Sequence, residues 1–298
     1  MQDDEAASLV GMLSSVARIW PVIRFFQFVL PSLRDYVRGY IWEEEGQPVG
    51  VVLLHRQGTT HTWEIVRAAV LPDYRRQGIG RQLVQAGIDY VRERGGKIVL
   101  LDVIAGNIPA YELYTQAGFE PFETRVSFDY TRDEPPPEIP QPTDCTILPI
   151  GPADWRYKYE LALRTVPADV QRFQPIEETH YQSRLSGRLA AWIAKLTSAT
   201  QDRNFVARAS EEGQVIAVAG YSARTRSGGV NSIRIRTDPA RPEVAPYLLH
   251  SLIRATQSQS PGRRIAFTVP HWQGKVMEAA QAAGSVKHLE YHRMGKLL

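Results

Sequence analysis

The stretch from Val70 to Val84, Val-Leu-Pro-Asp-Tyr-Arg-Arg-Gln-Gly-Ile-Gly-Arg-Gln-Leu-Val, constrains the fold more than any other part of the chain. An apolar run from Ile65 to Leu71 stops at Pro72 and Asp73, and Gly78 and Gly80 stand directly before a helical pattern. Leu83, Ile88 and Val91 recur at helical spacing until Gly95-Gly96 ends the run. The order is therefore strand, tight loop, helix. Glycines let the backbone approach a ligand with no side chain between, and the first amides of the following helix lack intrahelical acceptors. Such a loop binds anions, and Arg75, Arg76 and Arg81 suit it to a pyrophosphate. No Gly-Lys-Ser/Thr follows, so it is not a Walker loop, and it lacks the Gly-x-Gly-x-x-Gly of dinucleotide folds.

The rest of the first half extends this pattern. Residues 4–35 read as mostly helical, with Ala6, Leu9, Val10, Leu13 and Val16 on one face and an apolar segment from Val22 to Leu30. Strands are expected over Tyr36 to Glu43, Val49 to His55 and Thr62 to Leu71, the first two joined by a hairpin turn at Glu44-Glu45-Gly46-Gln47-Pro48. After the helix, Lys97 to Val103 is a nearly unbroken β-branched and apolar run, as in a strand buried on both faces. An Asn107-containing turn leads to a helix from Ala110 to Ala117 that closes at Gly118, and Phe119 to Tyr130 reads as a last strand pair. Glu64 shares the alternation of Val66, Ala68 and Val70 and is expected on their face.

Arg75-Arg76-Gln77-Gly78-Ile79-Gly80 and, about thirty residues on, Asn107-x-x-Ala110-x-x-Leu113-Tyr114-x-x-x-Gly118-Phe119 together resemble the two conserved motifs of the GNAT superfamily of N-acetyltransferases. The resemblance implies acetyl-CoA as co-substrate, no metal, and a contact set of Ala68, Val70, Arg75, Arg76, Gln77, Gly78, Ile79, Gly80, Arg81, Asn107 and Tyr111. It implies that the backbone of Ala68 to Val70 pairs with the pantetheine amides and polarises the thioester carbonyl. Asn107 matches the residue that contacts the pantetheine arm, and is equally suited to cap a helix. Tyr114 matches the tyrosine that protonates the departing thiolate, although Tyr111 and Tyr114 could be core aromatics. Glu64, eleven residues before Arg75 (75 − 64), matches the strand glutamate that serves some members as general base.

At 298 residues the chain has room for two domains, and 43% hydrophobic residues supply their cores. Thr131 to Thr143 holds five prolines among charged residues, an extended linker. We therefore expect an N-terminal lobe over 1–132, a linker over 133–143 and a C-terminal lobe over 144–298. Placing Gly284 on Gly118 gives an offset of 166 (284 − 118) at which the second half repeats the first in weakened form. Arg241 then falls on Arg75, but Val244 and Pro246 replace Gly78 and Gly80, and Ala280 replaces Tyr114. Proline and β-branched valine obstruct a phosphate cradle. The fold class implied is α/β: two tandem GNAT-like acyl-CoA N-acyltransferase lobes, each a mixed, mostly antiparallel sheet flanked by helices, the second degenerate. Cys145 to Leu148 supplies an initial strand to the second half, for which the first half shows no counterpart.

The remaining features exclude other classes. A net charge of +3 with scattered basic residues argues against nucleic acid. Met1-Gln2-Asp3-Asp4-Glu5 is unlike a signal peptide, Val22 to Leu30 is too short to span a membrane, and the single Cys145 suits the cytoplasm. It gives no support to a ping-pong route, so direct attack by the amine is expected. His288 and His292 are four apart in a strand and do not form a helical metal pair, while His55 and His61 flank a turn near the expected cleft. The acceptor would be a primary amine of a small molecule or peptide, with the lobes packed on each other and a homodimer compatible with the chain. A tandem family member, mycothiol synthase, is similar in layout, but its active lobe is the C-terminal one, so its substrate does not transfer. A non-catalytic acyl-CoA sensor would keep the same loop without turnover.

Overall fold

A computed structural model describes residues 38–57, 60–182, 200–211, 213–225 and 229–298. The helices expected over 4–35 lie outside these residues. The chain forms two compact units, one of residues 1–122 with Arg293–Leu298, the other of Glu123–His292.

In the first unit β1 (Arg38–Glu44) and β2 (Gln47–Arg56) form a hairpin. Its two turn residues, Glu45 and Gly46, both have positive φ (52° and 78°), the handedness that matches strand twist. β3 (Thr62–Val70) pairs antiparallel with β2 and leads through a short 3-10 turn, Pro72–Tyr74, to α1 (Ile79–Glu93). β4 (Ile98–Ile104) then pairs parallel to β3, and α2 (Ile108–Gln116) follows. The strand order is β1-β2-β3-β4, with the end of β11 (Val286–Leu297) beyond β4. Among the described residues no strand stands beyond β1, so what the far end of the chain supplies is a strand on the opposite side. The core joins Val52, Leu54, Trp63 and Ile65 of the sheet to Ile79, Leu83, Ile88 and Val91 of α1, with Tyr114, Phe119 and Met294.

Two expectations need correction here. Phe119 to Tyr130 is not a strand pair but one strand, β5 (Glu120–Tyr130), whose alternating burial runs without a turn. It pairs antiparallel with β10 (Ile265–Pro270). Glu64 also does not share a face with Ala68 and Val70. Leu54 pairs with Ile65 and Leu53 with Arg67, so Val66 is an extra residue in β3, and a bulge resets the alternation. Ala68 and Val70 pack in the α1 core, whereas Val51, Leu53 and Ala69 form a separate cluster on the other side. Glu64, opposite His55, falls on that second side.

The second unit repeats the plan with more strands. Its order is β11-β5-β10-β9-β8-β7-β6, comprising β6 (Cys145–Ile150), β7 (Thr200–Ala209), β8 (Val215–Arg224) and β9 (Asn231–Thr237) besides those named. α3 (Trp155–Thr165), α4 (Ala168–Phe173), α5 (Glu178–Tyr181), α6 (Val244–Gln259) and α7 (Gly274–Ala282) complete it. The proline-rich stretch has no regular structure, yet it is strapped to α6. The Pro136 and Pro137 carbonyls accept from Arg254 Nη1 at 2.9 Å and His250 Nδ1 at 2.8 Å, and the Arg132 carbonyl accepts from Gln257 Nε2 at 2.7 Å. Prolines free their carbonyls for such bonds because none is needed in a ladder.

Candidate active site

The loop after β3 turns on two residues with positive φ, Arg76 at 64° and Gly78 at 84°. Gly78 is the N-cap of α1, and the first intrahelical bond runs from Gln82 N–H to its carbonyl at 3.1 Å. The amides between them point out of the helix start, toward the ligand side of the loop. Gly80 is needed for a different reason: a Cβ there would stand 3.2 Å from Leu113 and 3.8 Å from Val70. The start of α1, the end of β3 and the face of α2 therefore close on one another at Gly80. Arg75 Nε donates to the Val70 carbonyl at 3.0 Å, folding the loop back on its strand. Gln77 Nε2 donates to the Asp73 carbonyl at 3.3 Å, and Arg81 donates to Gln116 on α2.

β3 and β4 are paired only from Thr62↔Ile98 to Ile65↔Leu101. Beyond Ile65 the residues Val66 to Val70 keep β2 on one side and have no strand register with β4. An extended amide chain can pair with a strand edge left open in this way. Ala68 and Val70 lie on that stretch, with the glycine loop immediately after it. This is the fit that a pantetheine arm and pyrophosphate require: an open strand edge continuous with a cradle of helix-start amides and three arginines.

α2 sets the tyrosine. Asn107 is its N-cap, accepting from the Ala110 amide at 3.3 Å, and Pro109 occupies the first turn, where a missing N–H costs nothing. At the other end Gly118, at φ 84°, donates to Thr115 at 2.9 Å while Phe119 N–H reaches back to the Tyr114 carbonyl at 3.0 Å. This is the Schellman arrangement, and its usual apolar contact is made by the Phe119 and Tyr114 rings, centroids 6.0 Å apart and near perpendicular. The cap thus fixes the Tyr114 ring. Burial pushes the Tyr114 hydroxyl above its ordinary pKa of 10.0, because the phenolate would be desolvated. Tyr114 therefore holds its proton at neutral pH. Tyr111 packs against the same core.

Glu64 is held on the opposite side of β3. Its Oε2 accepts from Gln57 Nε2 at 3.2 Å and its Oε1 from Arg293 Nη1 at 3.2 Å. The same Nη1 bonds Asp102 Oδ1 and Oδ2 at 3.0 and 3.1 Å. The structure thus brings together the loop residues, Ala68, Val70, Asn107, Tyr111 and Tyr114 on one side, and Glu64 with Asp102 and Arg293 on the other. The parting of β3 and β4 lies between these sets. Asp102 and Arg293 were missed in the sequence. A signal for Asp102 existed, since it is the one charge within the apolar run of β4. None marked Arg293. His61 Nδ1 stands 2.8 Å from the Gly95 carbonyl, a structural bond. Among the described residues no group of three or more His, Cys, Asp or Glu could hold a metal, and no helix is long and apolar enough to cross a membrane.

Residues 13–119 match the model of the acetyltransferase (GNAT) family. The mycothiol acetyltransferase of Rhodococcus opacus (strain B4) is 42% identical over 65 residues, 22% of this chain and 21% of that one. The ribosomal protein bS18 alanine N-acetyltransferase of Escherichia coli (strain K12) is 42% identical over 65 residues, 22% of this chain and 44% of that one. The aligned stretches thus span from about a fifth to under half of these curated relatives. Among solved structures, a tandem GNAT protein from the clavulanic acid biosynthesis pathway superposes over 90% of this chain and 86% of its own, with a TM-score of 0.59 and 14% identity. That similarity extends the shared tandem GNAT fold across both units, and the family match gives residues 13–119 the sequence signature of the GNAT acetyltransferases.

Proposed function

We propose that the chain is an N-acetyltransferase that carries an acetyl group from acetyl-CoA directly to a primary amine, with its one cofactor site in the N-terminal lobe (1–132) and a degenerate C-terminal lobe (144–298). The observation that carries this reading is the open edge of β3 running into the Gly78–Gly80 cradle. Arg75, Arg76 and Arg81 offset the charge of the pyrophosphate, and the Gly78 to Arg81 amides bond it. The β3 backbone at Ala68 to Val70 aligns the thioester.

The chemistry divides between the two sides of β3. One proton passes from the acceptor ammonium to Glu64 and on to solvent. The nitrogen lone pair then attacks the thioester carbonyl. A second proton leaves the nitrogen as the C–N bond forms, and replaces the one that Tyr114 gives the thiolate as the C–S bond breaks. Proton transfers of this kind contribute about 10²- to 10⁴-fold each. The two relatives named above match at equal identity over equal length although their names point to different substrates. The shared segment thus supports the cofactor side of the reaction, and we place acceptor choice outside it.

The test is calorimetric titration of acetyl-CoA into wild type and a Gly78→Pro/Gly80→Pro variant, followed by a primary-amine screen read as thiol release. We expect one equivalent bound by wild type and none by the variant, with turnover of at least one amine. Binding without any turnover would leave a sensor, and two equivalents would restore the second lobe as a cofactor site.

A further inference from the structure

The last strand brings the first unit a buried cation that neither motif explains. Arg293 is 4% exposed, and its Nη1 joins Glu64 to Asp102 across 229 and 191 residues of sequence. The two carboxylates stand on one side of the sheet, on neighbouring strands and two residues apart along it. Glu64 lies opposite Leu100 in the β3–β4 register, and Asp102 is two residues beyond Leu100, just past the last paired position. They therefore flank the point at which β3 and β4 part. Their side chains remain 22% and 36% exposed, while the guanidinium beneath them is 5% exposed.

This arrangement is poor as a structural device. Burying a guanidinium costs it hydration, which an apolar trio of similar volume would avoid. Arg293 Nε adds to the cost, being buried with no hydrogen-bond partner among the described residues. Two neighbouring carboxylates would otherwise repel and turn apart. One buried donor shared between them, with Gln57 on the second oxygen of Glu64, holds both carboxylates in place while each stays partly exposed.

We propose that Arg293 is the positioning residue of the acceptor site: it sets Glu64 and Asp102 side by side as a carboxylate pair that receives the acceptor's ammonium group at the parting of β3 and β4. The proposal rests on the reading of the first unit as a transferase. It makes Asp102 a second contact for the acceptor, and it makes a site formed by residues 57–114 depend on the sixth residue from the end of the sequence.

The experiment compares wild type with Arg293→Gln, Arg293→Lys, Asp102→Asn and Glu64→Gln, using whichever amine the screen identifies. Acetyl-CoA affinity is measured on each. Arg293→Gln should lower kcat about 100-fold, the scale of a misplaced reacting group, with acetyl-CoA Kd changed less than about threefold. Arg293→Lys, which keeps a donor and the charge, should recover about a tenth or more of the wild-type rate. Asp102→Asn should raise the acceptor KM about tenfold and change kcat less, a split that loss of folding would not produce. If Arg293→Gln fails to fold, the Lys and Asp102 variants carry the test. No amine turned over by wild type overturns the transferase reading and this inference with it, whereas full activity in Glu64→Gln removes Glu64 from the reaction and overturns this inference while the transferase reading stands. A rate lost in Glu64→Gln but unchanged in Arg293→Gln and Asp102→Asn overturns this inference alone.

Discussion

The cleft between β3 and β4 and its counterpart between β9 and β10 begin from the same plan and end differently. In both, a parallel pair is in register for a few positions only, Thr62 to Ile65 in one and Asn231 to Ser232 in the other. In both, a strand then leads to a long helix, and a Schellman cap closes the next one. Gly284 N–H bonds Gln281 and Ser285 N–H bonds Ala280, just as Gly118 and Phe119 bond Thr115 and Tyr114. In the second unit, however, the protein satisfies its own cleft. At the 166-residue offset Gln273 stands on Asn107, and its side-chain amide takes both backbone polar groups of Thr237: Oε1 accepts from the Thr237 amide and Nε2 donates to its carbonyl, each at 2.9 Å. Those are the two bonds that a bound amide would make with a strand edge. Arg241, at the place of Arg75, is paired with Asp144 and Glu243, and Glu243 itself is the N-cap of α6. Asp238 is ion-paired to Arg164 at 2.8 Å. A phosphate would meet carboxylates already in place, and Val244 is fully buried where the first unit has Gly78. The difference teaches that a lobe can keep the strand-and-helix frame while filling the parting of its strands from within.

The sharpest way to break this contrast is to exchange the loops. Gly80→Val puts a branched side chain where Leu113 leaves 3.2 Å, and should abolish calorimetric binding of acetyl-CoA. Val244→Gly/Pro246→Gly in the second unit should leave the stoichiometry at one. A second equivalent there would show that the glycines alone separate the two clefts.

Tyr114→Phe comes next. It should lower kcat about 10²- to 10³-fold with acetyl-CoA affinity unchanged, measured as thiol release at saturating amine. Because burial raises the hydroxyl's pKa, the proton stays in place as pH rises to its ordinary value and past it. The ratio of wild-type to variant rate should therefore be flat from about pH 6 to 9. A ratio that collapses within that range would remove Tyr114 from proton delivery. Ala280, under the same cap in the second unit, has no such proton to give.

Smaller effects sharpen the comparison. Gln273→Ala strips the buried Thr237 amide and carbonyl of their partners, and should destabilise the protein by about 1–3 kcal/mol in urea unfolding. It should open no second acetyl-CoA site, since Glu243 and Val244 remain. Asn107→Ala, at the matching position, removes a cap on a more exposed helix and should cost about 1 kcal/mol. A larger loss of acetyl-CoA affinity than of stability would mark Asn107 as a ligand contact as well as a cap.

Much of this was written locally in the chain. Gly78, which tolerates φ 84°, and Gly118, which closes α2 on the Tyr114 ring, follow from residues a few positions apart. The same holds for the Asn107 cap, the Glu45-Gly46 turn and the loss of glycines at Val244 and Pro246. Short-range backbone geometry and helical periodicity decide all of these, and both can be read from neighbours. Pairing across the chain decided the rest. Val66 became a bulge only because Leu53 and Leu54 pair as they do, and that moved Glu64 to the other face. The prolines of the expected linker bond α6, more than a hundred residues on. Gln273 fills a cleft whose open edge is made by β9. Arg293 meets Glu64 and Asp102 because the last strand completes the first unit. Ion pairs and side-chain plugs are contacts between distant positions, set by which strands lie side by side, and no local pattern in the sequence carries that information.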